Sequence, residues 1–487
     1  MAKISLSFMP DIEVIPEVRH LYNVGALLDI PTGIYLPGRM GESILNGGVG
    51  MLTGVVGRPN TYKSAEMDYM AMSAMSAFPG TFYGIYDTEI NKTAQRLAQL
   101  SKHIDALKHV DLIAEKMVRI TDKTQLSATE WYEKVKEQMA AKIKHRKDIL
   151  IDLPFATKSG IPLQIPLPTY QGVDSLSEFV TDDVEQMQDE NELGDSGANT
   201  MHMRQGAAKT RFLSDVIRRA SESNTAFLMS AHVGQIIGMD PRQPPPKQLQ
   251  YLKNGDVIKG VSSKFLYLTT VCWQTVSSTV LLNDSTKAAE YPKEQGSGFK
   301  GETDLNLVTL STLRNKNGPS GGAMIQHVVS QQEGVLPSLS EFHYIKSADR
   351  YGLEGSLQNY SLTLLPSVAL SRTKVREKID SDAKLRRAIR ITSELLQINL
   401  LYNYLDEDLY CDPKQLYEGI KARGYDWDIL LNSRGNWCAD HYDQPIPYLS
   451  TMDLMKMRVG RYHPFWLAAD NKTVLKPSEY VKYTASA

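Results

Sequence analysis

Cysteine is nearly absent from this chain, with three in 487 residues: Cys272, Cys411 and Cys438. No two of them form a CxxC pair, which argues against a disulfide framework or a cysteine-ligated zinc site. Charge of one sign is missing too, since 54 Lys and Arg face 56 Asp and Glu for a net charge of −2. A wholly basic surface for nucleic acid is excluded, and any contact with phosphates has to come from local basic stretches. No uncharged apolar run approaches the roughly 18 residues of a membrane span. The opening MAKISLSFMPDIEVIPEV also lacks the charged-then-apolar pattern of a secretion signal. These absences lead us to expect a protein of the reducing cytoplasm with no membrane partner. What is present, 42% hydrophobic and 23% charged residues, suits a globular chain with a sizeable core.

The length predicts one large domain and a smaller one. Residues 1–30 carry few periodic signals and read as an N-terminal arm available for oligomerisation. Over residues 31–349, strand-like runs alternate with helical stretches, the pattern of an α/β domain with a mainly parallel, twisted sheet. Residues 51–56, 81–86, 225–231 and 307–311 read as strands, and 64–78, 91–102 and 208–222 as helices. Residues 149–156 and 161–168, around Lys158-Ser159-Gly160, read as a hairpin inserted into the sheet. Residues 182–206 and the proline-rich 234–263 read as loops. Residues 350–487 read as a mostly helical C-terminal domain with a long helix over 371–405. The cations of that helix (Arg372, Lys374, Arg376, Lys378, Lys384, Arg386, Arg387 and Arg390) form either a guide for duplex DNA or a solvated face.

The strongest chemical signal is Gly54-Val55-Val56-Gly57-Arg58-Pro59-Asn60-Thr61-Tyr62-Lys63-Ser64, which follows an apolar strand and opens a helix. That is the context of a phosphate-binding loop, in which backbone N–H groups and the helix N-terminus face the anion. Lys63 would neutralise terminal phosphates and the Ser64 hydroxyl would ligate Mg²⁺. The usual glycine before the lysine is replaced by Tyr62, whose Cβ restricts the backbone. Two aspartates close strand-like runs downstream and compete for one position in the pattern described below: Asp174, in Gln171-Gly172-Val173-Asp174-Ser175, and Asp152, in Asp148-Ile149-Leu150-Ile151-Asp152. Glu89, closing Tyr86-Asp87-Thr88-Glu89, is placed to polarise a water attacking phosphorus.

Together these motifs resemble the RecA-family recombinases, closest to their phage, UvsX-like branch, where an aromatic residue precedes Lys-Ser. The resemblance extends through Gly194-Asp195-Ser196, His202-Met203, Ala207-Ala208 and Ser223-Asn224-Thr225. It implies a RecA-like P-loop ATPase core that binds ATP and Mg²⁺ through residues 57–64. Asp174 is then the metal-assisting carboxylate, Glu89 the base and His232 the γ-phosphate sensor. It further implies that Arg314 and Lys316 reach the ATP of a neighbouring subunit. Single-stranded DNA would meet a first loop carrying Arg204 and Lys209, and a second over 233–263 carrying Arg242, Lys247, Tyr251, Lys253 and Lys259.

The expected function is that of a DNA-dependent ATPase. It would form helical filaments on single-stranded DNA for homologous pairing and strand exchange, in host cytoplasm if phage-encoded. A ring-forming replicative helicase on the same core, and an ATP-binding accessory protein that does not hydrolyse, remain open alternatives.

Overall fold

The computed structural model describes residues 18–156, 161–190, 198–235, 247–292, 303–318 and 321–480. Nine strands run in sequence through its central sheet. They are β1 (Leu52–Gly57), β2 (Tyr83–Asp87), β3 (Val118–Asp122), β4 (Thr169–Asp174), β5 (Thr225–Gln235), β6 (Val271–Val280), β7 (Leu305–Asn315), β8 (Met324–Ser330) and β9 (Gly334–Val335). Their order across the sheet is β9-β8-β7-β6-β1-β5-β4-β2-β3, and a short strand, Asp256–Ile258, pairs with β5. From β6 through β1 to β3 every pairing is parallel, while β7, β8 and β9 add an antiparallel margin. The chain is thus α/β with a large, mainly parallel sheet.

Side chains alternate between the two faces of each strand, and both faces are covered. Val55, Ile85, Tyr170 and Leu228 pack beneath helix α1 (Lys63–Ser76), which contributes Met67, Met70, Ala71 and Met75. Val56, Tyr86, Val173, Phe227 and Met229 face the other way. There they meet Trp131, Val135 and Met139 of α2 (Ala128–Lys144) and Phe212, Leu213 and Val216 of α3 (Ala198–Ser223). A capping box between Ser127 and Glu130 fixes the start of α2.

Three expectations change in this part of the chain. The hairpin forms, over Leu150–Ala156 and Pro162–Pro166, but as its own two-stranded sheet outside the central one. The described part of the arm is folded in. Leu21, Tyr22, Val24, Leu27 and Leu28 are buried, the Tyr22 hydroxyl donates to Asn224 at 2.7 Å, and Gln397 donates to the Leu27 carbonyl at 3.0 Å. Residues 182–206 are not a loop where described, because Asp182–Glu190 is helical and α3 begins at Ala198.

Beyond residue 350 a small three-stranded sheet precedes the helices, and the long helix breaks in two. Val375–Ser381 ends where Asp382 caps α4 (Ala383–Leu401) by accepting from the Leu385 N–H. One hydrophobic cluster joins Leu305, Val328, Leu336 and Phe342 to Leu385, Ile389 and Leu395, so packing is continuous across residue 350. Among the described residues no helix is long and apolar enough to cross a membrane.

Candidate functional site

Strand register brings the chemistry to one edge. Gly57 lies level with His232 on one side and Thr275 on the other, and Asp87 lies level with Asp174. The parallel strands therefore end together, and the carboxyl edge of such a sheet is where α/β folds hold ligands. The loop from Gly57 turns into α1 beside a cavity of about 420 Å³. The cavity lining includes Thr61, Lys63, Ser64, Asp68, Glu89, Lys92 and Arg96.

The loop is held in shape by its own side chains. Thr61 donates to the Arg58 carbonyl at 2.7 Å and shares a 2.6 Å hydrogen bond with Thr275. A Cβ on Gly57 would stand 1.9 Å from the Thr275 hydroxyl, so only glycine fits there. Arg58 pairs with Asp256 at 3.1 Å, tying the loop to the strand beside β5. Pro59 and Asn60 make the turn, with Asn60 at φ +61°. Tyr62 takes φ +64° and ψ +21°, the left-handed conformation that a glycine would adopt freely, and its hydroxyl accepts from Asn306 at 2.9 Å. Lys63 is almost wholly buried at the first turn of α1. Backbone donors at a helix N-terminus with a buried lysine suit a phosphoryl anion.

Asp174 is 1% exposed and accepts from Ser230. Burial works to raise its pKa, but Lys92, Ser230 and Ser64 outweigh burial and hold the carboxyl below its ordinary value. Its Oδ2 lies 3.0 Å from the Lys92 ammonium, yet no hydrogen-bond donor is aligned on it. Asp152 is on the separate hairpin, exposed and bridged to Arg39 at 3.6 Å, whereas Asp174 ends β4 level with Asp87 at the carboxyl edge. Glu89 meets His232 Nε2 at 3.2 Å. The segment carrying Glu89 is fastened from below: Asp87 accepts from the N–H groups of Glu89, Asn91 and Lys92, and Thr88 bonds both ways with Ser175.

Neither a protein-family model nor a curated protein sequence matches this chain.

The remaining site residues fall elsewhere. Arg314 lies level with Cys272 and so with Gly54, at the far end of the strands from the Gly57–Ser64 loop, and Lys316 follows it. Lys316 donates to the Tyr267 carbonyl at 2.7 Å. Three residues of strand separate the levels of Gly54 and Gly57, about 10 Å at the strand rise, so neither cation approaches the loop of its own chain. Lys209 is corrected. It is 2% exposed, its ammonium donates to the Ser177 and Gly260 carbonyls at 2.9 and 2.7 Å, and burial lowers its pKa to about 8. It braces the turn after β4 and offers nothing to a ligand.

Arg204 sits on helix α3 rather than in a loop, 3.1 Å from the Met187 sulfur. Lys247, Tyr251, Lys253 and Lys259 are exposed, the Tyr251 ring lying against Gly321 and Gly322. Arg242 lies outside the described residues.

Four cations of the basic run near residue 380 are paired or buried, while Lys374 is exposed. Arg376 pairs with Asp304 and Glu333, Arg386 with Asp105, Arg390 with Asp29 and Glu394, and Arg387 is buried. The site also contains groups that sequence reading passed over. Asp68 follows Ser64 by one helical turn, a spacing that predicts a shared face. Lys92 comes three residues after Glu89, in a loop whose course no periodicity gives away.

Proposed function

We propose that the chain is an ATP-dependent recombinase with a RecA-like core, which binds ATP and Mg²⁺ at the phosphate loop and assembles on single-stranded DNA. One observation carries the reading: Asn60–Ser64 and Glu89 line one cavity at the carboxyl edge of the sheet, where Asp174 pairs with Lys92 of the lining and His232 meets Glu89. The donor set fits a magnesium ion. Asp174 is buried with Ser64 beside it, and its Oδ2 faces the Lys92 ammonium at 3.0 Å. Ser64 and Asp174 would hold the ion, which when bound supplies positive charge to the phosphate oxygens.

The chain's own residues do the rest. Lys63 and the loop N–H groups neutralise and orient the triphosphate. Glu89, steadied by His232, accepts the proton of the attacking water. His232 stands just before the last residues of β5, Val233–Gln235, which pair with the short strand lying between Lys253 and Lys259. A change at Glu89 is thus felt next to the segment proposed to grip DNA, and the Arg58–Asp256 pair reinforces this link. Arg314 and Lys316, remote from their own loop, serve the loop of an adjoining copy, which makes turnover depend on assembly.

The test is ATPase activity with and without single-stranded DNA, paired with electron microscopy. DNA-stimulated turnover on helical filaments, lost in Lys63→Ala, is the expected result. Six-membered rings that unwind forked duplex would move the assignment to a helicase. No turnover, with DNA binding indifferent to Lys63→Ala, would leave a non-hydrolysing accessory protein.

A further inference from the structure

Within the same cavity a lysine occupies ground that a metal ion would claim. Lys92 Nζ is 2.5 Å from Asp68 Oδ2 and 3.0 Å from Asp174 Oδ2, and its side chain is 5% exposed. The three groups come from different elements: Asp68 from α1, Asp174 from the end of β4, and Lys92 from the segment that carries Glu89. The lysine is not there by drift. Asp87 holds its backbone N–H at 2.7 Å, and Asp68 is itself oriented by the Tyr83 hydroxyl at 2.9 Å. Two carboxylates and one ammonium leave the cluster with one net negative charge. Without the ammonium, two buried carboxylates would face each other uncompensated, which proteins avoid by pairing or by taking up a cation.

We propose that Lys92 is a positioning residue that serves as the built-in counter-ion of Asp174. Its ammonium fills the Asp68–Asp174 carboxylate pair in the nucleotide-free protein and excludes a free divalent cation until a triphosphate enters the cavity. The inference rests on the reading of Asp174 as the metal-assisting carboxylate. The incoming phosphates supply a second negative partner for Lys92, so metal and nucleotide enter together rather than metal first. Because Lys92 shares its segment with Glu89, the same exchange adjusts the base.

Manganese binding to the full-length, nucleotide-free protein, followed by electron paramagnetic resonance of the free ion, tests this without any turnover. Wild type is expected to bind Mn²⁺ at least about tenfold more weakly than Lys92→Gln, which takes up one ion, and Lys92→Gln/Asp174→Asn is expected to lose that site. Asp68→Asn/Lys92→Gln keeps the net charge of the wild-type cluster, so its folding is not burdened by two unpaired carboxylates. It is expected to gain a Mn²⁺ site as well. Wild type binding Mn²⁺ as well as Lys92→Gln, or neither lysine variant gaining a site, would overturn the proposal. Binding of a fluorescent ATP analogue by wild type against Lys63→Ala, measured in parallel, reports on the nucleotide reading alone and so separates the two failures.

Discussion

Tyr62 allows the backbone of the phosphate loop to be tested independently of any activity. It holds a left-handed conformation at φ +64°, which costs a residue with a Cβ about 1–2 kcal/mol. Glycine escapes that cost but has more unfolded-state freedom to lose, worth about 0.5–1 kcal/mol. Tyr62→Gly should therefore be more stable than Tyr62→Ala by roughly 0.5–1 kcal/mol. In an ordinary helical position the sign is opposite, with alanine ahead by about 1 kcal/mol. Both variants lose the Asn306 bond, and Tyr62→Phe isolates that loss at about 0.5–1.5 kcal/mol. Urea unfolding followed by tryptophan fluorescence gives the ranking: wild type, then Phe, with Gly above Ala. An alanine variant as stable as the glycine variant would refute the left-handed assignment and the loop geometry built on it.

Three further outcomes are expected. His327 is buried, bonded to Glu66 at 2.9 Å and to the Ala26 carbonyl; burial alone would lower its pKa, but these partners raise it above 6.5. Its contribution to stability is thus complete below that value and disappears as pH rises through the folded pKa. Urea midpoints should fall over that window in wild type, and the fall should flatten in His327→Gln. Lys209→Met should destabilise the fold by about 1–3 kcal/mol, through unsatisfied carbonyls, while leaving the salt dependence of single-stranded-DNA binding unchanged. Lys253→Ala should instead reduce the log–log salt slope by about 0.7. Finally, equal mixtures of Lys63→Ala and Arg314→Ala chains, each inactive alone, should recover about a quarter of wild-type ATPase, since that share of interfaces joins an intact loop to an intact arginine. Recovery near zero would place Arg314 outside the neighbour's site.

The sequence carried the edge of the sheet well and its surroundings poorly. β1, α1, β2 and β5 were legible because apolar runs there end in glycine, charge or a motif, and the structure keeps them to within a few residues. The hairpin was legible from its turn, although its independence from the central sheet was not, since pairing partners leave no local trace. Lys209 misled because an isolated lysine on a helix looks the same whether it faces solvent or two carbonyls. The basic run at 372–390 misled for a related reason. Its partners, Asp29, Asp105, Asp304 and Glu333, lie tens to hundreds of residues away, and no window along the chain brings them together. Lys92 was missed because its role depends on two carboxylates contributed by other elements.

The order of synthesis bears on the polar stitches of the N-terminal segment. Tyr22, Ala26 and Leu27 leave the ribosome well before Asn224, His327 and Gln397, which bond to them and follow 202, 301 and 370 residues later. Until then Glu66, on the helix that opens at Lys63, has no imidazole to face. The phosphate loop's supporting helix therefore cannot reach its final packing while the nascent chain is short. Such late closure slows folding and leaves apolar surface open to chaperones in the interval.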